Sequence, residues 1–458
     1  MIRLYNTLTR QKEPLPLAKK LRLFVCGPTV YDYVHIGNAR TFTVFDILVR
    51  YLRHEKQKVF YLQNITDVDD KIILRAAKET IPWREVAKKF EGIFKKNMHD
   101  LGNTSVDTYA RATAFIPEII SQVERLIERG NAYKIDGDGW YFDLTTFPDY
   151  GKLGRRTITQ AEDGVSRIDE SSGKRNRGDF CLWKFSKPGE PTWKSKLLGD
   201  GRPGWHIEDT AITEHFFGSQ YEMHGAGIDL MFPHHEAEIA QQESASGKKP
   251  FVQLWMHVGF LKVGGDKMSK SLGNFVTIDD FLRRHGANVF RWLVLLHHYR
   301  DPMEAGENVI QSAKKNLADF GLFLGKLDFA ARRGGGKSGQ DIQSYVNDFY
   351  DALDDDLNTP RAIAALFAMM EKINKDLWKA KKKDLLVAKK TLIELLGIFG
   401  IKTFDAKIPR KIQQTAAKRE LSRTNKQFEQ SDALRKEIDA LGYVIEDTPV
   451  GPFVWPKS

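Results

Sequence analysis

The stretch Leu21-Arg22-Leu23-Phe24-Val25-Cys26-Gly27 predicts a short buried strand, and a turn that contains Pro28 follows it. Apolar residues then recur at helical spacing up to His54, namely Phe42, Phe45, Leu48 and Leu52. A second strand is predicted at Lys58-Val59-Phe60-Tyr61-Leu62. This strand–turn–helix–strand unit predicts a parallel α/β sheet.

The segments that follow predict further helices and strands on both sides of an insertion. Residues 83–135 favour helices, whereas residues 136–204 are rich in Gly, Pro, Asp and Arg with little periodicity, which is typical of an insertion. Sheet-like segments return at residues 221–224 and 254–261. One helix is predicted over residues 277–299, with a capping box at its start.

Beyond residue 300 the pattern is helical, with a glycine-rich break at residues 334–339. An amphipathic, charged helix is predicted around residues 421–441, followed by a strand at residues 443–447. A run of lysines between these segments fits either a solvated helix face or a nucleic-acid contact: Lys379, Lys381, Lys382 and Lys383.

Composition narrows the class of protein. The chain has 458 residues, which allows roughly three domains at about 100–200 residues each. It has no apolar run of the ~20 residues that a membrane helix needs, and its first residues lack a signal-peptide core. Two cysteines cannot form a disulfide framework. We therefore expect a cytoplasmic protein with no membrane association, and the net charge of +10 suits an anionic partner such as nucleic acid.

The turn Val34-His35-Ile36-Gly37-Asn38-Ala39-Arg40 is a candidate phosphate site. A helix that opens at the carboxyl end of a parallel strand is where α/β folds bind phosphates. His35 and Asn38 can donate hydrogen bonds, and Gly37 permits close approach of a ligand. Taken alone, the turn could equally be a surface turn with an incidental histidine.

The segment Asp266-Lys267-Met268-Ser269-Lys270-Ser271 follows Gly264-Gly265 and is a second candidate. Two lysines that flank a small polar residue in a glycine-hinged loop can bring positive charge to a polyphosphate. The competing interpretation is an exposed Lys/Ser loop. The presence of the His35 turn in the same chain makes this interpretation less favoured.

This pair of motifs resembles the two signature motifs of class I aminoacyl-tRNA synthetases. Further blocks resemble the cysteinyl-tRNA synthetase family and lie across essentially the whole chain, at residues 24–32, 64–72, 204–208, 230–236 and 355–360.

The resemblance implies an α/β, Rossmann-type catalytic domain over residues 1–300 with a connective insertion at about 100–204. A helical stem-contacting domain (301–400) and a small anticodon-binding domain (401–458) would follow. The implied enzyme ligates L-cysteine to tRNA(Cys) through a cysteinyl-adenylate and releases AMP and pyrophosphate.

The resemblance also implies one zinc ion per subunit, and the expected ligands are Cys26, Asp209, His234 and Glu238. Asp209 stands where the family has a second cysteine, so one soft ligand is replaced by a harder one. Imidazole, thiolate and carboxylate all bind zinc, and an i, i+4 spacing places His234 and Glu238 on one helix face. His235 is expected to point about 100° away and not to be a ligand. The competing interpretation of Cys26 is a buried core thiol.

Substrate contacts are implied in the same way. The expected cysteine-binding residues are Gly27, Thr66, Trp205 and His206. The expected ATP-binding residues are His35, Gly37, Asn38, Gly225, Gly227, Asp229, Lys267, Ser269 and Lys270, and Mg²⁺ would accompany ATP. Among these, His35, Asn38, Lys267 and Lys270 are the expected catalytic residues. Plain core packing is the competing interpretation of Trp205.

Two other functions stay open at this point. One is a ligase that activates cysteine but passes it to an amino sugar, although relatives of that kind lack the tRNA-binding tail. The other is a catalytically silent RNA-binding homologue, which Lys267 and Lys270 argue against and Asp209 faintly favours. We expect a monomer with ATP, L-cysteine and tRNA(Cys) as partners.

Overall fold

The computed structural model describes residues 2–156, 171–263, 266–267, 275–333, 336, 339, 341–403 and 406–457. The chain forms two compact units. The first comprises Met1–Ala287, Tyr299–Glu304 and Asp355–Leu357, and the second comprises Asn288–His298, Ala305–Asp354 and Asn358–Ser458. These units do not decide the three-part division into residues 1–300, 301–400 and 401–458, which stays a prediction.

The first unit is an α/β structure. Its strands within the described residues are β1 (Arg3–Asn6), β2 (Gln11–Pro14), β3 (Leu21–Val25), β4 (Val59–Ile65), β5 (Thr108–Arg111), β6 (Ala132–Ile135), β7 (Gly139–Phe142), β8 (Phe180–Phe185), β9 (Gly201–Pro203), β10 (Tyr221–Gly227), β11 (Val252–Val258), β12 (Leu261–Val263), β13 (Asp266–Lys267) and β14 (Met303–Glu304). Its α-helices are α1 (Ile36–His54), α2 (Asp70–Glu79), α3 (Trp83–Asp100), α4 (Ile116–Glu128), α5 (Ile207–Phe217), α6 (Glu236–Ser246) and α7 (Ile278–His285).

The central sheet has the strand order β11-β10-β3-β4-β5, and every neighbouring pair is parallel. The predicted parallel α/β fold is therefore confirmed. Helix α1 packs on this sheet, since a Cβ added at Gly225 of β10 would lie 2.1 Å from Cζ of Phe45. Parallel strands end at one edge, so the residues after β3, β4 and β10 meet near the start of α1.

Two sequence predictions differ from the structure. Strand β5 lies in the stretch predicted to be mostly helical, because its four residues Thr108-Tyr109-Ala110-Arg111 are too few to show an alternating pattern. The single helix predicted over residues 277–299 is broken into two. Gly286 adopts φ 78°, in the left-handed region that ends helices, and its N–H bonds to the Leu282 carbonyl.

The predicted insertion contains regular structure of its own. Strands β6 to β9 form an antiparallel sheet in which neighbours in sequence are neighbours in the sheet. Strand β6 lies within residues 83–135, which the sequence predicted to be mostly helical. Gly139 in β7, and Gly201 and Pro203 in β9, interrupt the alternating pattern, and β6 has only four residues in which to show it. The N-cap at Thr277 is confirmed, because its Oγ1 accepts a hydrogen bond from the Asp280 N–H at 3.1 Å and donates one to Asp280 Oδ2 at 2.9 Å.

The second unit is helical and ends in a hairpin. Its helices within the described residues are α8 (Ala287–Leu295, whose first residue belongs to the first unit), α9 (Glu307–Arg333), α10 (Gln343–Asp354), α11 (Thr359–Asp376), α12 (Lys382–Ile398), α13 (Arg410–Thr424) and α14 (Phe428–Ala440). Strands β15 (Tyr443–Thr448) and β16 (Gly451–Pro456) are antiparallel, which confirms the predicted terminal strand. A small core joins them to α13 and α14 through Ile412, Ala416, Ile438, Ile445 and Val454. Across the described part of the chain, no helix combines the length and the apolar character needed to span a bilayer.

Candidate active site and metal centre

A cavity of about 400 Å³ opens where the carboxyl ends of the central strands meet the start of α1. It is lined by eleven residues that the sequence assigned to the site: Cys26, Gly27, His35, Gly37, Asn38, Thr66, Trp205, Asp209, Gly227, Asp229 and His234. Tyr31, Asp32 and Lys71, which the sequence did not single out, line it too. One concave site therefore gathers residues from both ends of the first unit's sequence.

His35 caps the helix that borders the cavity. Its backbone is extended, and its Nδ1 accepts a hydrogen bond from the Asn38 N–H at 3.2 Å. Gly37 and Asn38 form the first turn of α1 and line the cavity. The unpaired N–H groups and the dipole of a helix N-terminus attract anions, which makes this wall suitable for phosphate.

Gly27 is required by a close approach of two strand ends. A Cβ at this position would lie 1.8 Å from the Asn64 carbonyl oxygen, and the Gly27 N–H donates to Asn64 Oδ1. Two residues further on, Thr66 Oγ1 donates to the buried Glu208 carboxylate. The ends of β3 and β4 are thus held together by hydrogen bonds beside Cys26.

The four predicted zinc ligands converge in this wall of the cavity. One donor atom each from Cys26, Asp209, His234 and Glu238 lies within 4.8 Å of the other three. Nε2 of His234 is 3.0 Å from Asp209 Oδ2 and 3.0 Å from Glu238 Oε1. All four residues are buried. Asp209 sits in the first turn of α5 and Glu238 in the first turn of α6, so both backbones are fixed by helices.

The electrostatics of this cluster favour a cation. Burial raises the pKa of the Cys26 thiol well above its ordinary value, and the Glu238 and Asp209 carboxylates raise it further. Burial also raises the pKa of Glu238, to about 7, and the Asp209 charge adds to this effect while His234 opposes it. For His234, burial lowers the pKa but the two carboxylates raise it, to about 9. The raised pKa values mean that these buried groups bind protons more tightly, because no other positive charge among the described residues neutralises the donor cluster.

Two buried oxygen atoms in the cluster support the same interpretation. Asp209 Oδ1 and Glu238 Oε2 have no hydrogen-bond partner. A buried carboxylate oxygen without a partner is costly unless it binds a cation or a proton. The donor set of one thiolate, one imidazole and two carboxylates fits zinc, so these residues can hold the implied ion.

Trp205 and His206 lie beside the donor cluster in different ways. The Trp205 ring stacks on His234 at a centroid distance of 4.5 Å, and its side chain stays 39% exposed. His206 Nδ1 is 2.7 Å from His234 Nδ1. The Gln241 amide donates to the His206 carbonyl oxygen at 2.5 Å. His206 thus contacts the predicted ligand His234 on the side away from the cavity. Within the described part of the chain, Trp205 lines the cavity and His206 does not.

His235 lies beside Cys26. Its Nε2 is 3.2 Å from Cys26 Sγ, and His224 Nε2 lies at the same distance. Residues 231–235 form a π-helical turn with Phe232 in a non-helical conformation. That His235 is a neighbour of the zinc ligands rather than a ligand stays a prediction. His224 was missed altogether, although its pairing with Phe24 in the adjacent parallel strand places it near Cys26.

Some predicted residues do not line the cavity. Among the described residues, Glu238 and His206 lie behind the cavity wall, and Gly225 faces Phe45 of α1. Lys267 is described by its backbone alone, as part of β13, where it pairs with Lys262 of β12. Ser269 and Lys270 lie outside the described residues.

Comparison with known proteins gives two family matches within the chain. Residues 14–315 match the family of tRNA synthetases class I (C) catalytic domains, and residues 348–403 match the DALR domain family. Solved structures share the fold. The methionyl-tRNA synthetase of Mycobacterium tuberculosis, solved in complex with methionyl-adenylate, has a TM-score of 0.62 at 16% identity, over 84% of this chain and 90% of that chain.

Curated relatives match over the whole length. The cysteine–tRNA ligase of Thermococcus gammatolerans is 41% identical over 476 residues, which cover 100% of this chain and 99% of that protein. The cysteine–tRNA ligase of Caldicellulosiruptor saccharolyticus is 41% identical over 462 residues, or 98% of each chain. That of Legionella pneumophila strain Paris is 40% identical over 466 residues, again 98% of each. The chain therefore belongs to the cysteine–tRNA ligase family of class I tRNA synthetases.

Proposed function

We propose that this protein ligates L-cysteine to tRNA(Cys) in two ATP-dependent steps. The cysteine carboxylate attacks the α-phosphate of ATP, which forms cysteinyl-adenylate and releases pyrophosphate. A hydroxyl of the terminal tRNA adenosine then attacks the carbonyl, and AMP leaves. The observation that carries this proposal is that one cavity is lined by three of the four donors, Cys26, Asp209 and His234, and by the capped N-terminus of α1.

Selection of cysteine is assigned to the donor cluster. No apolar pocket separates cysteine well from serine, because the two side chains differ only by sulfur in place of oxygen. A zinc ion bound by Cys26, Asp209, His234 and Glu238 would bind the substrate sulfur as a thiolate. Trp205 would close the side of this pocket, and Gly27 and Thr66 would contact the amino acid from the strand ends.

Binding of ATP is assigned to the residues at the start of α1 and after β10. His35, Gly37 and Asn38 would hold the phosphates, and Asp229 would accept hydrogen bonds from the ribose hydroxyls beside Gly227. Gly225 allows the backbone of β10 to lie close to Phe45 of α1, and its contact with ATP stays part of the proposal. Mg²⁺ would travel with ATP.

Charge stabilisation in the first step is assigned to Lys267 and Lys270, with Ser269 between them. Negative charge builds on the α-phosphate and the leaving pyrophosphate, and lysines stabilise such charge at the moment it develops. Most of the rate would come from this effect and from positioning of the two substrates, so no protein general base is proposed.

The acceptor is assigned from the second unit. Residues 348–403 match the DALR domain family, and the cysteine–tRNA ligases named above match the chain over 98–100% of its length. We propose that helices α13 and α14 with the terminal hairpin contact the anticodon region, and that the exposed lysines before and within α12 contact the tRNA backbone. No feature of the described residues favours an amino sugar as acceptor, and we propose a monomer as the active form.

The test is ATP–pyrophosphate exchange with cysteine or serine, followed by aminoacylation of tRNA(Cys). We expect exchange with cysteine alone, little with serine, and transfer when tRNA is added. Exchange without transfer would favour the amino-sugar ligase, and absence of exchange would favour a silent homologue.

A separate measurement tests the zinc. Freshly purified protein should contain about one zinc per chain. Asp209→Cys is the matched variant, because it restores the family's thiolate at the same charge and should hold the ion more tightly against chelators. An active enzyme without stoichiometric metal would contradict the assignment.

A further inference from the structure

Two buried histidines outside the predicted ligand set point at Cys26. Nε2 of His224 and Nε2 of His235 each lie 3.2 Å from Cys26 Sγ. Together with Glu238, these residues form a second group whose donor atoms all lie within 4.8 Å of one another. His224, His235 and Glu238 have no exposed surface, and Cys26 is 4% exposed.

The outer nitrogens of both histidines have hydrogen-bond partners. His224 Nδ1 is 2.7 Å from the Tyr221 hydroxyl and 3.5 Å from Glu238 Oε2. His235 Nδ1 is 2.8 Å from His257 Nε2, and His257 Nδ1 is 2.8 Å from Thr7 Oγ1. When each Nδ1 donates its proton outward, each Nε2 keeps a lone pair directed at Cys26. Histidines that bind metals have their second nitrogen fixed in this way.

The spacing of the donors suits a tetrahedral ion. Zinc bonds of about 2.3 Å to sulfur and 2.0 Å to nitrogen place the two ligand atoms roughly 3.5 Å apart. The observed sulfur–nitrogen distances of 3.2 Å differ from this by a few tenths of an ångström. Glu238 Oε1 is 3.9 Å from Cys26 Sγ, and Glu238 Oε2 makes no hydrogen bond and lies 3.5 Å from His224 Nδ1. Small side-chain shifts would therefore complete the coordination.

The formal charge favours this group as well. Cys26 and Glu238 as anions contribute two negative charges, and the two imidazoles are neutral, so a divalent cation gives a neutral complex. The group with Asp209 has three anions and one imidazole, so the same cation leaves one negative charge. A neutral complex costs less to bury than a charged one.

We propose that a borderline-soft divalent cation has a second binding position in this protein, formed by Cys26, His224, His235 and Glu238. This His224 position and the Asp209 position (Cys26, Asp209, His234 and Glu238) exclude each other, because both need Cys26 and Glu238. Within the described part of the chain, His224, His235 and Glu238 do not line the cavity, so an ion in the His224 position is closed to the substrate sulfur. The inference rests on the proposed zinc function, since it supposes that the centre binds metal.

The experiment uses the full chain and its Asp209→Ala variant, each loaded with Co²⁺. Asp209→Ala removes a donor from the Asp209 position alone and leaves the His224 position untouched. The readouts are Co²⁺ per chain, the thiolate-to-cobalt absorption band, and the number of imidazole ligands from X-ray absorption. We expect the variant to bind one Co²⁺ with a thiolate and two imidazoles, within about tenfold of the wild-type affinity.

Three results would overturn the proposal. They are loss of stoichiometric Co²⁺ from Asp209→Ala, retention of Co²⁺ with a single imidazole, and two Co²⁺ per wild-type chain. His224→Gln in the Asp209→Ala background is the matched control and should abolish binding, whereas His224→Gln alone should bind Co²⁺ through one imidazole. If wild-type protein binds no metal, the proposed zinc function fails too. If the wild type binds one ion and Asp209→Ala binds none, the second position alone fails.

Discussion

Replacing Arg40 by methionine removes a buried guanidinium that ties α1 to two other segments of the first unit. Arg40 has no exposed surface. Its Nη1 donates to the carbonyl oxygens of Gly259 at 2.8 Å and Phe260 at 2.7 Å, and its Nη2 donates to that of Asp301 at 2.6 Å. Burial lowers its pKa to about 10, so the group is still charged at neutral pH.

The cost of Arg40→Met follows from the carbonyl oxygens that lose their donor. Those of Gly259 and Asp301 lose the guanidinium, whereas the Phe260 carbonyl oxygen keeps the Met303 N–H at 2.9 Å. Each unsatisfied oxygen costs about 1–3 kcal/mol, which gives roughly 2–6 kcal/mol for the two. Gly259 borders the cavity, where water can replace part of the lost bonding. The expected destabilisation is therefore in the lower half of that range, about 2–4 kcal/mol, or at least about 4 °C in melting temperature.

The assay is thermal unfolding of wild type, Arg40→Met and the control Arg53→Met. Arg53 lies on the same helix and pairs with Asp107, but both side chains are 37% exposed, so its loss should cost at most about 1 kcal/mol. Arg40→Met should also slow ATP–pyrophosphate exchange below its melting temperature, because Phe260 directly precedes β12, the partner of β13 and Lys267. Equal melting temperatures for the two variants, with normal exchange, would refute the reasoning.

Lys270→Ala should lower the rate of cysteine-dependent ATP–pyrophosphate exchange by roughly 10²–10³ with little change in cysteine binding, and an unchanged rate would contradict its assignment. Gly27→Ala should destabilise the first unit by about 2 kcal/mol or more, because the new Cβ would lie 1.8 Å from the Asn64 carbonyl oxygen; a wild-type melting temperature would argue against this. Glu91→Gln should cost about 1 kcal/mol at pH 7, since burial raises the pKa of Glu91 but hydrogen bonds from Arg111 and a neighbouring lysine lower it overall. A carboxyl group whose pKa is lowered by folding stabilises the folded state at pH values above its unfolded pKa of about 4.3, and this stabilisation is lost as the pH falls through its folded pKa. Urea unfolding should therefore show the cost of Glu91→Gln at pH 7 and its loss near pH 3. The same cost at both pH values would exclude this origin.

The sequence predicted the parts of the fold in which local pattern and tertiary structure agree. The strand at residues 21–25 and helix α1 have clear apolar periods, and the cap at Thr277 is a local signal. Strand β5 is not predictable in this way, because four residues gain their strand conformation only from pairing with β4. The end of α7 at Gly286 depends on a backbone angle that a helical apolar pattern does not encode.

At the candidate site, too, some residues were predictable from the sequence and others were not. Resemblance to a family named the four donors that meet in the structure, but their roles as ligands stay predictions. The π-turn at residues 231–235, in which His235 comes within 3.2 Å of Cys26 Sγ, is a backbone feature that the apolar pattern of the sequence does not encode. His224 could have been found from strand neighbours, since parallel pairing places it next to Phe24 and hence beside Cys26.

The proposed metal donors lie far apart in the sequence, and this distance constrains the order in which the chain folds during synthesis. Cys26 and Glu238 are 212 residues apart, and the antiparallel sheet β6–β9 lies between them in the sequence. A nascent chain that has emerged only as far as that sheet contains one donor of the four. Closing so long a loop costs entropy that pairing of β10 with β3 must offset first. Binding of an ion at the proposed site would therefore follow assembly of the central sheet, and until then the Cys26 thiol is accessible to solvent on the growing chain.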